Sequence, residues 1–149
     1  MNKFMKIALQ EAQKAYSKNE VPVGAVIVKD NIVIAKAHNL RECKKDPLAH
    51  AEILAIQKAC KKLKTWRLDN CTMYITLEPC LMCAGAINQS RIKKVIIGVM
   101  DHRNGVVGSI TNVFDLGFTH KVEYETGICS DECSKILSEF FAQLRKSKK

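Results

Sequence analysis

A histidine and a glutamate two residues apart, His50-Ala51-Glu52, and two cysteines behind a proline, Pro79-Cys80-Leu81-Met82-Cys83, are the residues whose types and spacing suit chemistry. Soft sulfur with one imidazole fits Zn²⁺, which takes four ligands in a tetrahedron, and His50, Cys80 and Cys83 would supply three of them. A fourth position left to water would make the site catalytic. A fourth position filled by a further cysteine, such as Cys43 or Cys71, would make it structural. Glu52 favours the catalytic reading, because an activated water needs a neighbour that accepts its proton and returns protons to the attacked atom and the leaving group. Two thiolates neutralise the cation more than imidazoles would, so the metal is expected to be a weaker Lewis acid that relies more on Glu52.

Elements must bring these residues together. Phe4, Ala8, Ala12 and Ala15 repeat at helical spacing and predict a helix over 2–18. Val21 to Val28 and Ile32 to Ala37 are β-rich runs about the turn residues Lys29-Asp30-Asn31, a hairpin pattern. Asp46-Pro47 offers a helix start before the apolar face of Ile53, Leu54, Ile56, Ala59, Cys60 and Leu63. Residues i and i+2 inside a helix do not face each other, so His50 and Glu52 converge only at the helix's start, which moves the expected first residue to about Ala49. Cys71 to Leu77 reads as a strand running into Glu78-Pro79, with proline launching a helix to about Gln89. On that helix Cys80 and Cys83, three apart, would share a face near the dipole's positive end, which favours thiolate. Lys94 to Met100 predicts a buried strand, Asp101 to Ser109 a glycine-punctuated loop, His120 to Thr126 a further strand and Asp131 to Leu144 a closing helix. Strands alternating with helices after an opening hairpin imply an α/β fold: a three-layer α/β/α sandwich about a mixed sheet of about five strands. No linker or repeat divides the chain, so residues 1–149 read as one domain ending in a basic tail over 145–149.

With 149 residues, 47% of them apolar and 26% charged, the chain has the composition of a single globular domain and not of a disordered or collagen-like one. Its longest nearly apolar stretch, Val21 to Val28, is far short of the ~20 residues of a membrane-spanning helix. Gln10, Glu11, Gln13 and Lys14 interrupt the apolar residues at the N-terminus, which therefore lacks the continuous run of a secretory signal and leads us to expect a cytoplasmic protein. Seven cysteines, an odd count, fit reduced thiols in such a compartment. The net charge of +9, four of it from Arg145, Lys146, Lys148 and Lys149, favours a polyanionic partner, nucleic acid first.

His-x-Glu followed by Pro-Cys-x-x-Cys is the signature of zinc-dependent nucleobase deaminases, which this chain resembles. Over nearly its whole length it is similar to the bacterial tRNA-specific adenosine deaminases. The strings that carry the likeness are Val21 to Val26, Ala37-His38-Asn39, Ala49-His50-Ala51-Glu52, Thr76 to Ala86, Ser90-Arg91-Ile92, Gly108-Ser109, and Asp131-Glu132-Cys133 with Phe140-Phe141. The resemblance implies a cytidine deaminase-like fold and conversion of the anticodon's wobble adenosine to inosine. It implies one Zn²⁺ per subunit held by His50, Cys80 and Cys83, with Glu52 as the proton shuttle to N1 and to the ammonia leaving C6. It further implies substrate contacts from Asn39, Ala51, Asp101 and Arg103, a tRNA anticodon stem-loop as partner, and a homodimer. Arg103 stands where the family commonly has lysine and keeps the positive charge a phosphate wants. His102 has no family role, and Leu48 replaces a small hydroxyl residue. Cys43, Cys60, Cys71, Cys129 and Cys133 are expected to be buried thiols and Trp66 a packing residue, while His38 and His120 are assigned nothing. Two rival readings remain: a zinc deaminase of a free base or nucleotide (guanine, cytosine or dCMP), and a non-catalytic zinc-stabilised RNA-binding module. Histidine at position 50, where free cytidine deaminases commonly have cysteine, counts against one branch of the first rival.

Overall fold

Five strands form one sheet in the order β2-β1-β3-β4-β5: β1 Gly24–Lys29, β2 Ile32–His38, β3 Thr72–Leu77, β4 Lys94–Val99 and β5 Glu123–Glu125. The computed structural model describes residues 1–148, and Lys149 of the expected basic tail lies outside them. β1 is antiparallel to β2 and to β3, whereas β3, β4 and β5 run parallel, so the sheet is mixed as expected. The hairpin turns through Asp30 and Asn31, both at positive φ, a conformation that Asn and Asp tolerate better than most residues.

Alternation along the strands divides the core in two. Ala25, Ile27, Met73, Ile75, Val95 and Ile97 face one side, against Leu54, Ala55 and Ala59 of α3 (Ala51–Leu63) and Ala84 and Ile87 of α4 (Leu81–Gln89). Val26, Val28 and Ile96 face the other, where Phe4, Met5 and Ala8 of α1 (Lys3–Ser17) and Cys133 of α5 (Ser130–Ser147) cover them. Helices therefore lie on both faces, and the three-layer α/β/α architecture is present. Gly24 makes the α1 contact possible: a Cβ there would run into the backbone of Ala8 and Ala12.

The structure moves several predicted boundaries. α3 starts at Ala51, two residues after the expected Ala49, with His50 as its N-cap. α4 starts at Leu81, so Pro79 is outside the helix and Cys80, in extended conformation at ψ 176°, is the cap. β1 starts at Gly24 instead of Val21, and the expected strand over 120–126 keeps only Glu123–Glu125, the residues that reach a partner on β4. Two short pieces were not foreseen: the helix α2 (Arg41–Lys44) and a 3₁₀ turn over Val113–Asp115. Among the described residues no helix is long and apolar enough to cross a membrane.

Candidate active site

Strand pairing Gly24 with His38, Ala25 with Ile75 and Leu77 with Val99 puts the start of β1 and the ends of β2, β3 and β4 at one edge of the sheet. The segments leaving that edge carry Val21 and Val23, Asn39, Glu78 to Cys80, and Met100 with Asp101. The N-termini of α3 and α4 open there too, as expected for a site at the carboxyl ends of parallel strands.

His50 and Cys80 are both N-caps with extended backbones, and Cys83 lies in the first turn of α4. Capping takes His50 outside the helix, which resolves the difficulty of an i, i+2 pair. His50 Nδ1 is 3.7 Å from Cys80 Sγ and 3.5 Å from Cys83 Sγ, and the three donor atoms lie within 4.8 Å of one another. Tetrahedral zinc with ordinary Zn–N and Zn–S bonds sets N and S about 3.6 Å apart. The donor set therefore fits zinc in both chemistry and spacing. Neither Cys43 nor Cys71 joins it among the described residues.

Protonation within the cluster is uneven. The hydrogen bond from Cys83 pulls the Cys80 thiol down to about 4 against the effect of burial, with His50 assisting. The same bond, together with burial, pushes Cys83 far up. A cation bound here would displace the remaining thiol proton. Glu52, two residues into α3 and 4% exposed, is pushed up to about 7 chiefly by burial. A carboxyl poised near neutral pH can both take and give a proton.

These groups open into a cavity of about 1030 Å³. Asn39, Ala51 and Asp101 line it, as does Glu52, so the structure gathers three of the four expected substrate contacts. Asn39 is buried, its Oδ1 has no hydrogen-bond partner among the described residues, and its Nδ2 is 3.5 Å from the Val21 carbonyl. An orphaned buried acceptor beside an open cavity is what an incoming donor would satisfy. Asp101 uses Oδ1 to accept from the N–H groups of Arg103 and Asn104, which shapes its own turn. Arg103 is exposed and absent from the cavity wall. Phe140 and Leu144 of α5 do line the cavity, so Phe140 both walls the site and packs on Tyr16 at 5.6 Å.

Sequence reasoning missed the buried carboxylates around the site. Glu20 and Glu78 are almost fully buried, and each accepts hydrogen bonds from backbone at the cavity's rim. Glu11 is buried between Lys14 and His38, which gives His38 a partner, and Lys18 Nζ lies 3.0 Å from the ring's other nitrogen. Their signal was an acidic residue set in an apolar string, as in Glu20-Val21-Pro22-Val23 and Leu77-Glu78-Pro79. Two expectations are corrected. Cys43 is exposed, and Cys60 and Cys129 are only half-buried, leaving Cys71 and Cys133 as buried thiols. Trp66 is 58% exposed, with the guanidinium groups of Arg67 and Arg91 5.3 and 5.7 Å from its ring centre, so it does not pack in the core.

The profile of the MafB19-like deaminases matches residues 1–145. A tRNA-specific adenosine deaminase of Bacillus subtilis is 50% identical over 147 residues, 98% of this chain and 91% of that protein. One from Aquifex aeolicus is 50% identical over 145 residues, covering 97% and 95%. Among solved structures, one from a study of A-to-I editing by tRNA:A34 deaminases at the wobble position of transfer RNA superposes with a TM-score of 0.88 at 40% identity, covering 92% of this chain and all of that one.

Proposed function

The chain belongs to the MafB19-like deaminases and to the tRNA-specific adenosine deaminases, and from that premise we propose how its site works on the adenosine it converts to inosine at the wobble position of a tRNA anticodon. The observation that carries the proposal is the His50–Cys80–Cys83 cluster with buried Glu52 beside it, opening on a cavity walled by the unsatisfied Asn39.

His50 through Nδ1, Cys80 and Cys83 would hold one zinc ion per subunit. When bound, zinc supplies the Lewis acidity that makes water a nucleophile at neutral pH. Glu52 accepts the proton of the attacking water and passes it to N1 of adenine as the oxygen joins C6. It then takes the second proton from the oxygen now bonded to C6 and delivers it to the departing amine as the C6–N bond breaks, so one water enters and one ammonia leaves. Asn39 Oδ1 accepts from the base edge, and its Nδ2 is free to donate once the long contact to Val21 is given up. Ala51 presents the first turn of α3 to the cavity, Asp101 holds its rim, and Arg103 offers a cation just outside it to the anticodon backbone.

Residues 1–149 act as one deaminase domain whose partner is the anticodon stem-loop, in whose loop the base is unpaired and is withdrawn at less cost than from a duplex. Leu116 and Phe118, exposed and outside the cavity lining, provide apolar surface for a second copy, which supports a homodimer. The likeness to tRNA-specific adenosine deaminases supports work in the cytoplasm, where tRNA is used.

The test is deamination by zinc-loaded protein of an anticodon stem-loop with adenosine at the wobble position, beside free adenosine, cytidine, dCMP and guanine, scored by product mass. Inosine at that position alone is expected. Turnover of a free base, nucleoside or nucleotide with the stem-loop untouched would transfer the chemistry to nucleotide salvage, and no turnover of any substrate would favour a binding module.

A further inference from the structure

Segments 19–23 and 39–42 both contribute to one wall of the cavity, and the buried Glu20 side chain bridges the first to the helix that begins within the second. α2, with four residues, is far too short to be stable alone. Its N-cap, Leu40, has no side-chain acceptor and is turned instead against the core. Glu20 takes over that task from outside the helix. Its Oε1 accepts the Glu42 N–H at 3.0 Å and its Oε2 the Cys43 N–H at 2.6 Å, the two amides that an N-cap side chain would ordinarily serve. The Glu20 backbone is fixed in turn, because its N–H donates to Ala15 at the end of α1. Burial raises the Glu20 carboxyl, and the thiol and backbone donors of Cys43 and Glu42 more than offset this, so it stays ionised below its ordinary range.

A serine or aspartate at position 40 would have capped α2 locally. The long-range cap does something a local one cannot: it ties α2 to the segment on the other side of Asn39. Asn39 is held between them, its N–H donating to Val23, and Arg41 follows on the cavity wall, exposed and without an ion pair among the described residues.

We propose that Glu20 is a positioning residue for substrate binding, whose buried carboxylate caps α2 and thereby presents Asn39 to the base and Arg41 to a phosphate of the RNA. This rests on the deaminase reading above. Among the described residues the hydrogen bonds of the Glu20 carboxylate go to Glu42 and Cys43 and none to the cluster or to Glu52, so its influence is on binding and not on the chemical step.

The experiment compares zinc-loaded wild type with Glu20→Gln on the anticodon stem-loop, measuring kcat, KM, equilibrium binding, zinc content and amide exchange at Glu42 and Cys43. Loss of one charged acceptor is expected to raise KM and Kd about ten-fold and to speed exchange at both amides, with kcat and zinc content unchanged. A purely structural role would lower the melting temperature and leave KM alone, and that result overturns the proposal, as does a fall confined to kcat. Should the glutamine variant fail to fold, Glu20→Asp keeps the charge but cannot span both amides, and is expected to raise KM in the same way. A wild type that binds the stem-loop without deaminating it defeats the proposed reaction while the Kd comparison still decides the role of Glu20; a wild type that does neither defeats both.

Discussion

The Glu78 carboxylate occupies the space into which a side chain on Gly105 would project: a Cβ there would collide with the carboxyl carbon and with Oε1. Glu78 gathers the N–H groups of Asp101, Val107 and Ser109 and the Ser109 hydroxyl, and Gly105 lets the 101–109 loop wrap closely around it. One carboxylate thus sets this part of the cavity's rim, and the absence of a side chain at 105 belongs to the same arrangement.

Gly105→Ala should therefore push the loop outward. Overpacking of this kind typically costs about 1–3 kcal/mol of stability, read as a lower denaturant midpoint, and the KM for the stem-loop should rise with it. An unchanged midpoint and KM would show that the loop finds another path around Glu78.

Glu52→Gln preserves shape and removes the proton carrier proposed above. Turnover should fall by about 10²–10⁴-fold, the usual range for losing a general acid–base group, while zinc content and stem-loop affinity hold. A variant that retains most of its kcat would remove Glu52 from the proton transfers.

Cys83→Ser and His50→Ala each delete a donor from the cluster. Metal analysis should find close to one zinc per chain in the wild type and almost none in either variant, and chelation should abolish wild-type turnover until zinc is restored. Full zinc content in both variants would mean that the metal is held elsewhere.

Acid stability follows from Glu11, remote in sequence from His50, Cys80 and Cys83. Burial raises its carboxyl, but the hydrogen bonds from His38 and Lys14 outweigh that and hold it below its ordinary value of 4.5. A carboxyl depressed in the folded state contributes stability above its unfolded value and loses it as pH falls through the folded one. Denaturant unfolding from pH 7 downward should show stability declining below about pH 5, with a shallower decline for Glu11→Gln. Identical slopes would assign the acid limb to other groups.

Binding of the stem-loop should weaken as salt rises, because a chain of net charge +9 gains affinity by releasing phosphate counterions. Fluorescence titration across salt concentrations reads the slope directly, and a flat dependence would exclude a basic RNA-binding surface.

The amino-acid sequence by itself singled out the groups that the structure gathers, since His50, Cys80, Cys83 and Glu52 are specified by type and near spacing and come together at one cavity. It also determined the succession of the five strands and the four longer helices and the two-sided core, because periods of 2 and 3.6 are local properties that survive whatever the rest of the chain does. Where a helix begins was less legible. Pro79 suits a first helical position, yet Cys80 takes the extended cap conformation, and the same holds for His50, because only there do the two side chains point at Cys83 from outside their helices. Only the tertiary structure decided the partners of the buried carboxylates. Glu20 reaches amides 22 and 23 residues away, and Glu78 reaches amides 23, 29 and 31 residues away. No local pattern encodes such a bond; it exists because the sheet brings the loops at its carboxyl edge together, and a buried charge there persists only when backbone donors converge on it.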